Sequence, residues 1–200
     1  PKPKSNEVLI KVMATTVNRT DCGFRSAEYF ISRFFSGLLK PNNTILGCEY
    51  SGIIEEIGST VTQFKVGEKV FGFNDKTFGA HAEYMVVPED SAIATMPTNF
   101  SFEEAAPLLE GSHYALCDIR AAKVSAGQNI MVYGATGAIG SAAVQLLKHF
   151  GAKVNAVCNT KNAELVKFLG ADVVIDYTQQ DFTKTSEKFE TIVHKSISHH

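Results

Sequence analysis

Hydrophobic and polar positions change their period along the chain. From residue 7 to 17 they alternate, with Val8, Ile10 and Val12 on one face and Leu9, Lys11 and Met13 on the other, and β-branched residues are frequent. That pattern predicts a strand. From Gly47 onward short apolar runs are divided by Gly47, Gly52, Gly58, Gly67 and Gly72, which predicts short strands turning tight corners, as in a small barrel. Ala82 to Val87 predicts another strand. Ser101 and Glu104 have capping-box spacing ahead of Ala105, Ala106, Leu108 and Leu109, so a helix is expected to open there.

Beyond residue 128 the order becomes strand, turn, helix, strand. Gln128 to Tyr133 is a short apolar run. Ile139, Ala142, Ala143, Leu146, Leu147 and Phe150 then recur at steps of three and four, which places them on one helix face. Lys148 and His149 suit a helix C-terminus and Gly151 a stop. Lys153 to Cys158 predicts the next strand.

The turn between that strand and helix reads Gly134-Ala135-Thr136-Gly137-Ala138-Ile139-Gly140. Gly134 suits the turn out of the strand, Gly137 leaves room for a pyrophosphate, and Gly140 allows close packing of helix on sheet. The helix start offers free N–H groups and the positive end of a dipole. The context favours dinucleotide binding over a purely structural turn, and the phosphate-binding lysine of an NTPase loop is missing. Where NAD sites place an acid, the second strand runs out into Asn159-Thr160-Lys161, and the next acid is Glu164. Two hydrogen-bonding residues and a lysine suit a ribose 2′-phosphate, so the expected cofactor is NADP. The alternative for Lys161 is an ordinary solvated lysine.

The chain of 200 residues, 44% hydrophobic and 20% charged, has material for a core. A net charge of −2 gives no footprint for nucleic acid, and no run is long and apolar enough to span a membrane. Cys22, Cys48, Cys117 and Cys158 are scattered, which fits reduced thiols and a cytoplasmic location. The turn Met96-Pro97-Thr98-Asn99 separates an expected β-rich domain, 1–98, from a nucleotide-binding domain, 99–200. A cleft between them is the expected cofactor position. Only three or four strands fit after residue 128, against about six in a full dinucleotide fold. Val193 to Ile197 does not read as a strand continuing into the missing half, so a fragment, or a chain with unrecorded segments, is expected. Residues 28–46 carry Tyr29, Phe30, Phe34, Phe35, Leu38 and Leu39 around Arg33 and Lys40, either a flap over an apolar pocket or a satellite cluster beneath a loop.

Three stretches in order carry a resemblance: Gly47-Cys48-Glu49-x-x-Gly52 with Gly58 and Val61, then Val66-Gly67-Glu68-Lys69-Val70, then Gly134 to Gly140. From about residue 7 to about 177 the sequence resembles the medium-chain dehydrogenases/reductases. The resemblance implies an α/β protein in which a GroES-like barrel precedes a Rossmann domain, both partial here. Val17-Asn18-Arg19-Thr20-Asp21 resembles the Val-Asn-x-x-Asp of the zinc-free quinone oxidoreductase and enoyl-reductase branch. Asn18 and Cys48 stand where the zinc enzymes carry their cysteine and histidine ligands, so no metal is expected. A cluster of Cys48, Glu49 and Glu110 is the alternative metal site.

The expected activity is NADPH-dependent hydride transfer to a quinone or α,β-unsaturated carbonyl. Asn18 and Tyr50 are the catalytic candidates, through an amide donor and a proton donor. Their bland alternatives are a turn residue at the strand end and a buried barrel tyrosine. Candidates for the cofactor are Gly134, Thr136, Gly137, Ala138, Ile139, Gly140, Asn159, Lys161 and, from its family position, Tyr177. His113 is either cleft-facing or structural. Asp21 and Arg25 are expected to form a surface pair. A homodimer is a candidate assembly. The competing readings are an NADP-binding or interaction protein with little turnover, and an alcohol dehydrogenase with an atypical metal site.

Overall fold

The alternating stretch forms β1 (Glu7–Thr15), in which Val8 and Ile10 are fully buried. In the computed structural model residues 1–26, 44–184 and 186–194 are described, and the chain divides into two compact units, Pro1–Leu109 and Glu110–His200. The aromatic stretch, expected as either a flap or a satellite cluster, lies, over residues 28–43, outside the described residues.

In the first unit β1 is followed by helix α1 (Arg19–Ser26) and by strands β2 (Glu49–Ile57), β3 (Lys69–Phe73), β4 (Tyr84–Pro88) and β5 (Ala92–Thr95). They make one antiparallel sheet in the order β4-β1-β2-β3-β5. Its core holds Val8, Ile10, Tyr50, Ile54, Val70, Met85 and Val87. Two of the expected corners are not corners: Gly52 lies inside β2 and Gly72 inside β3. A Cβ at Gly52 would meet the Lys11 carbonyl and Ile10 of β1, and one at Gly72 would meet the Tyr50 ring. These glycines admit a neighbour and do not end a strand.

The capping box forms as the spacing predicts, with Ser101 Oγ accepting from Glu104 N at 3.2 Å and Glu104 Oε2 from Ser101 N at 2.9 Å. The helix it opens, α2 (Phe102–Ala105), gives way to a 3₁₀ turn at Ala106–Leu108, where Pro107 cannot donate a backbone hydrogen bond. A longer helix, α3 (Leu109–Ala121), follows.

The second unit is built on β6 (Asn129–Tyr133), α4 (Ala138–His149), β7 (Lys153–Cys158), α5 (Ala163–Phe168), β8 (Val173–Asp176) and β9 (Thr191–His194). All four strands are parallel, in the order β8-β7-β6-β9. Residues 191–194 form the fourth strand, within the three or four expected after residue 128, and residues 195–200 lie outside the described residues. Val193 is buried in the core of this sheet. Ile130, Val132, Val154, Ala156 and Cys158 face Ala143, Val144 and Leu147 of α4. Met131, Val157 and Ile175 form a second cluster with Phe182 and Phe189. Phe150, expected on the buried face, is 39% exposed just past the helix end, and Val144 takes that role. Asn155 is fully buried in β7, donating through Nδ2 to Asn129 Oδ1 at 2.6 Å and to the Ile130 carbonyl at 3.3 Å.

Candidate functional site

Strand order places the glycine turn. The chain moves from β6 out to β7 and β8, then returns to the other side of β6 as β9. The carboxyl end of β6 therefore adjoins the point where strand order reverses, the usual ligand crevice of such sheets. Residues 134–137 leave β6 there and enter α4.

Each glycine of the turn has a different neighbourhood. Gly134 has φ +74°, the left-handed region open to glycine. A Cβ on Gly140 would run into the Gly134 carbonyl, so helix and turn touch backbone to backbone. A Cβ on Gly137 would meet nothing nearer than the Gly134 oxygen at 3.6 Å, and one on Gly134 would meet nothing within 4 Å. Gly137 caps α4 with no side-chain hydrogen bond, so the N–H groups of the first turn, including those of Ala138, Ile139 and Gly140, have no intrahelical acceptor. Space in front of two glycines and open donors at the head of a 12-residue helix fit a pyrophosphate. Thr136 and Ala138 are exposed beside that space, whereas Ile139 is half-buried against the helix core.

The ends of β7 and β8 lie level, with Cys158 paired to Asp176. Asn159, Thr160 and Lys161 leave β7 in a 3₁₀ turn, in which Asn159 Oδ1 accepts from Asn162 Nδ2 at 2.9 Å. Lys161 is exposed. Glu164, the next acid in sequence, is engaged by Lys167 at 2.9 Å. Tyr177 donates its backbone N–H to the Cys158 carbonyl at 3.1 Å and leaves its side chain half-exposed.

Asp176, which the sequence pattern does not single out, joins the two strand ends. It accepts from Thr160 Oγ1 at 2.5 Å through Oδ2, and from the N–H and hydroxyl of Thr178 at 2.9 and 2.7 Å through Oδ1. The Thr160 hydroxyl, then that of Thr178, hold its carboxyl below the ordinary carboxylate range. Burial, and then the Asp176 charge, push the Cys158 thiol up. Only the parallel register of β7 and β8 reveals that Asp176 meets Thr160.

Asn18 and Tyr50 belong to the first unit. The polar break after β1 is the N-terminus of α1. Asn18 Oδ1 accepts from Asp21 N at 3.0 Å, Asp21 Oδ2 accepts from Asn18 N at 3.1 Å, and Asn18 Nδ2 donates to Cys48 Sγ at 3.0 Å. Asp21 is 2% exposed, and its Oδ1 accepts from Gly47 N at 2.8 Å. The expected surface pair with Arg25 is therefore replaced by a buried carboxylate that joins the α1 cap to residue 47. Gly47 itself has φ +90°, and a Cβ there would meet His81, whose Nε2 lies 2.8 Å from the Thr16 carbonyl.

Tyr50 is fully buried in the sheet core, and its hydroxyl has no hydrogen-bond partner among the described residues. Burial pushes its phenol well above the ordinary tyrosine range. This placement favours the packing role over proton donation. Glu49 accepts from Thr16 Oγ1 at 2.8 Å through Oε2. His113, in α3, lies edge-on to Tyr114 and 3.8 Å from Cys117 Sγ. Among the described residues no three His, Cys, Asp or Glu side chains are grouped to hold a metal ion, and no helix is long and apolar enough to cross a membrane.

Two family models match the chain: an alcohol dehydrogenase GroES-like domain over residues 4–98 and a zinc-binding dehydrogenase over residues 138–197. The 2-methylene-furan-3-one reductase of Solanum lycopersicum is 37% identical, across 96% of this chain and 50% of the relative. The NADPH-dependent alkenal/one oxidoreductase, chloroplastic, of Arabidopsis thaliana is 34% identical with the same coverage. The solved quinone oxidoreductase from Coxiella burnetii superposes with a TM-score of 0.84 at 30% identity, covering 96% of this chain and 60% of that one. The Escherichia coli quinone oxidoreductase complexed with NADPH gives 0.74 at 26% identity, covering 90% and 53%. The chain thus spans about half the length of the first two relatives.

Proposed function

The chain belongs to the medium-chain dehydrogenase/reductase superfamily, and on that premise we propose that it is part of an NADPH-dependent reductase of quinones or α,β-unsaturated carbonyls. The observation that carries this reading is the open turn at the head of α4, with no acid and an exposed lysine leaving the neighbouring strand. The names of the relatives, alkenal/one and quinone oxidoreductases, support the substrate class.

When bound, NADPH supplies the hydride. Gly134 and Gly137 leave room for the pyrophosphate, and the N–H groups of Ala138, Ile139 and Gly140 face it at the positive end of α4. Thr136 stands beside that space as a further donor. Asn159, Lys161 and Tyr177 gather at the two strand ends to receive the adenosine ribose and its 2′-phosphate. Reduction leaves negative charge on the substrate oxygen, which needs a fixed donor. Asn18 is our candidate, because Asp21 and Cys48 already hold its amide in one orientation. Tyr50 is given no part, since its hydroxyl lies in the core. The reading takes the reaction as metal-free and the partners as small molecules, without nucleic acid or membrane. Homodimer assembly and a reducing, cytoplasmic setting for the free cysteines complete it.

Titration of the full protein with NADPH and NADH, followed by an assay of NADPH consumption with an enone and a quinone, tests the reading. Tighter NADPH binding that Lys161→Ala weakens by about tenfold is expected, the worth of one charge-assisted contact. Equal binding of both cofactors would remove the NADP assignment. Binding without turnover of either substrate would favour the non-catalytic alternative.

A further inference from the structure

Lys161 and Tyr177 lie on different loops, so any phosphate they share depends on the spacing of those loops. Backbone pairing holds β7 and β8 level only as far as Cys158 and Asp176, with one further bond from Tyr177 N to the Cys158 carbonyl. Beyond that point side chains tie the loops. Thr160, immediately before Lys161, donates to Asp176, and Thr178, immediately after Tyr177, donates to the other carboxylate oxygen. The two threonine hydroxyls are also 3.0 Å apart. Three side chains from three positions thus close one ring of polar contacts between the loops.

Resting on the NADP reading above, we propose that Asp176 is a positioning residue, clasping the loops that carry Lys161 and Tyr177 at the spacing required to tell a ribose 2′-phosphate from a free 2′-hydroxyl. The carboxylate does this without contacting the cofactor. Its charge is taken up by two hydroxyls and the Thr178 N–H, which limits its repulsion of a nearby phosphate. An acid at the end of β8 therefore acts in the opposite sense from the acid that NAD sites carry at the end of the second strand, which binds the ribose itself. Thr160 is the other half of the clasp, because its hydroxyl brings the β7 loop into the ring.

The test is titration of the full protein and its Asp176→Asn, Thr160→Val and Thr160→Ser variants with NADPH and with NADH, alongside thermal melting. Asp176→Asn and Thr160→Val are expected to weaken NADPH binding by about tenfold, the worth of a hydrogen bond to a charged group. NADH binding should stay within about twofold, because the clasp sets the spacing of Lys161 and Tyr177 about a phosphate that NADH lacks, and Thr160→Ser should restore NADPH affinity by returning the hydroxyl. A merely structural role would weaken both cofactors together, and that result overturns the clasp. So does an unchanged or increased NADPH preference in Asp176→Asn, the increase being the sign of simple charge repulsion. If the wild type itself binds both cofactors equally, the NADP reading fails and the clasp with it. Preference retained by wild type and variants alike defeats the clasp alone.

Discussion

Two strand glycines of the first unit and two turn glycines of the second are there for opposite reasons. In the first, Gly52 and Gly72 sit inside strands because a neighbour occupies the place of their side chain, a β1 carbonyl in one case and the Tyr50 ring in the other. In the second, Gly134 and Gly137 face open space. The former are consequences of packing and the latter are room kept for something outside the fold. Gly140, which touches the Gly134 carbonyl, is a packing glycine inside a binding motif. Counting glycines cannot separate these cases, whereas asking what a Cβ would strike does.

The sharpest way to break the distinction is to add that Cβ. Gly140→Ala must displace backbone, so a loss of about 2–3 kcal/mol is expected together with loss of cofactor binding. Gly137→Ala, at φ −77° with no close neighbour, should fold within about 0.5 kcal/mol of wild type yet bind NADPH at least about tenfold more weakly. Paired melting curves and titrations decide it, and equal destabilisation of the two variants would erase the difference.

A smaller effect is expected in the first unit. Gly72→Ala presses on Tyr50 and should cost about 1–2 kcal/mol. Tyr50→Phe removes a buried hydroxyl without a partner among the described residues and should leave stability equal or raised by up to about 1 kcal/mol, with turnover unchanged. A drop in kcat at constant melting temperature would instead return Tyr50 to the chemistry.

The smallest effect concerns acid. Burial raises the Asp172 carboxyl, but the Lys148 hydrogen bond, the Val154 N–H and the Lys148 and Lys153 charges outweigh it and leave it below the ordinary range. Its contribution is fully present above the unfolded value of about 4 and is lost as pH falls through the lower folded value. Lys148 and Asp172 are each 36% exposed, so screening keeps the effect small. Melting of wild type and Asp172→Asn between about pH 7 and pH 2 should show a modest gap that closes on acidification. A gap that widens would reverse the sign.

Local order carries most of what was legible in the sequence. The period-2 strand at 7–15, the capping box at Ser101 and the helix from Ala138 each depend on neighbours within a few residues. What escaped depends on contacts distant along the chain. Gly52 and Gly72 read as corners because their occupants, Lys11 and Tyr50, come from other strands. Asp21 read as a surface charge because its acceptor role toward Gly47 spans 26 positions. Asp176 and Thr160 meet only through the parallel register of β7 and β8. The glycine turn was legible as a motif, with the room at Gly137, but the open space beside Gly134 was not.

Asn155 bears on how the second sheet finds its alignment. Valines and alanines pack almost as well one step out of register, so apolar strands alone discriminate poorly between neighbouring alignments. A one-residue slip of β7 would turn Asn155 toward the apolar layer of Ala143, Val144 and Leu147 and separate it from Asn129. The Asn155 Oδ1 already lacks a partner among the described residues, so the slip forfeits the Nδ2 contacts, at a cost of about 1–3 kcal/mol. Parallel pairing forms slowly between distant segments, and a single buried amide gives it a test of correctness that a wholly greasy strand would lack.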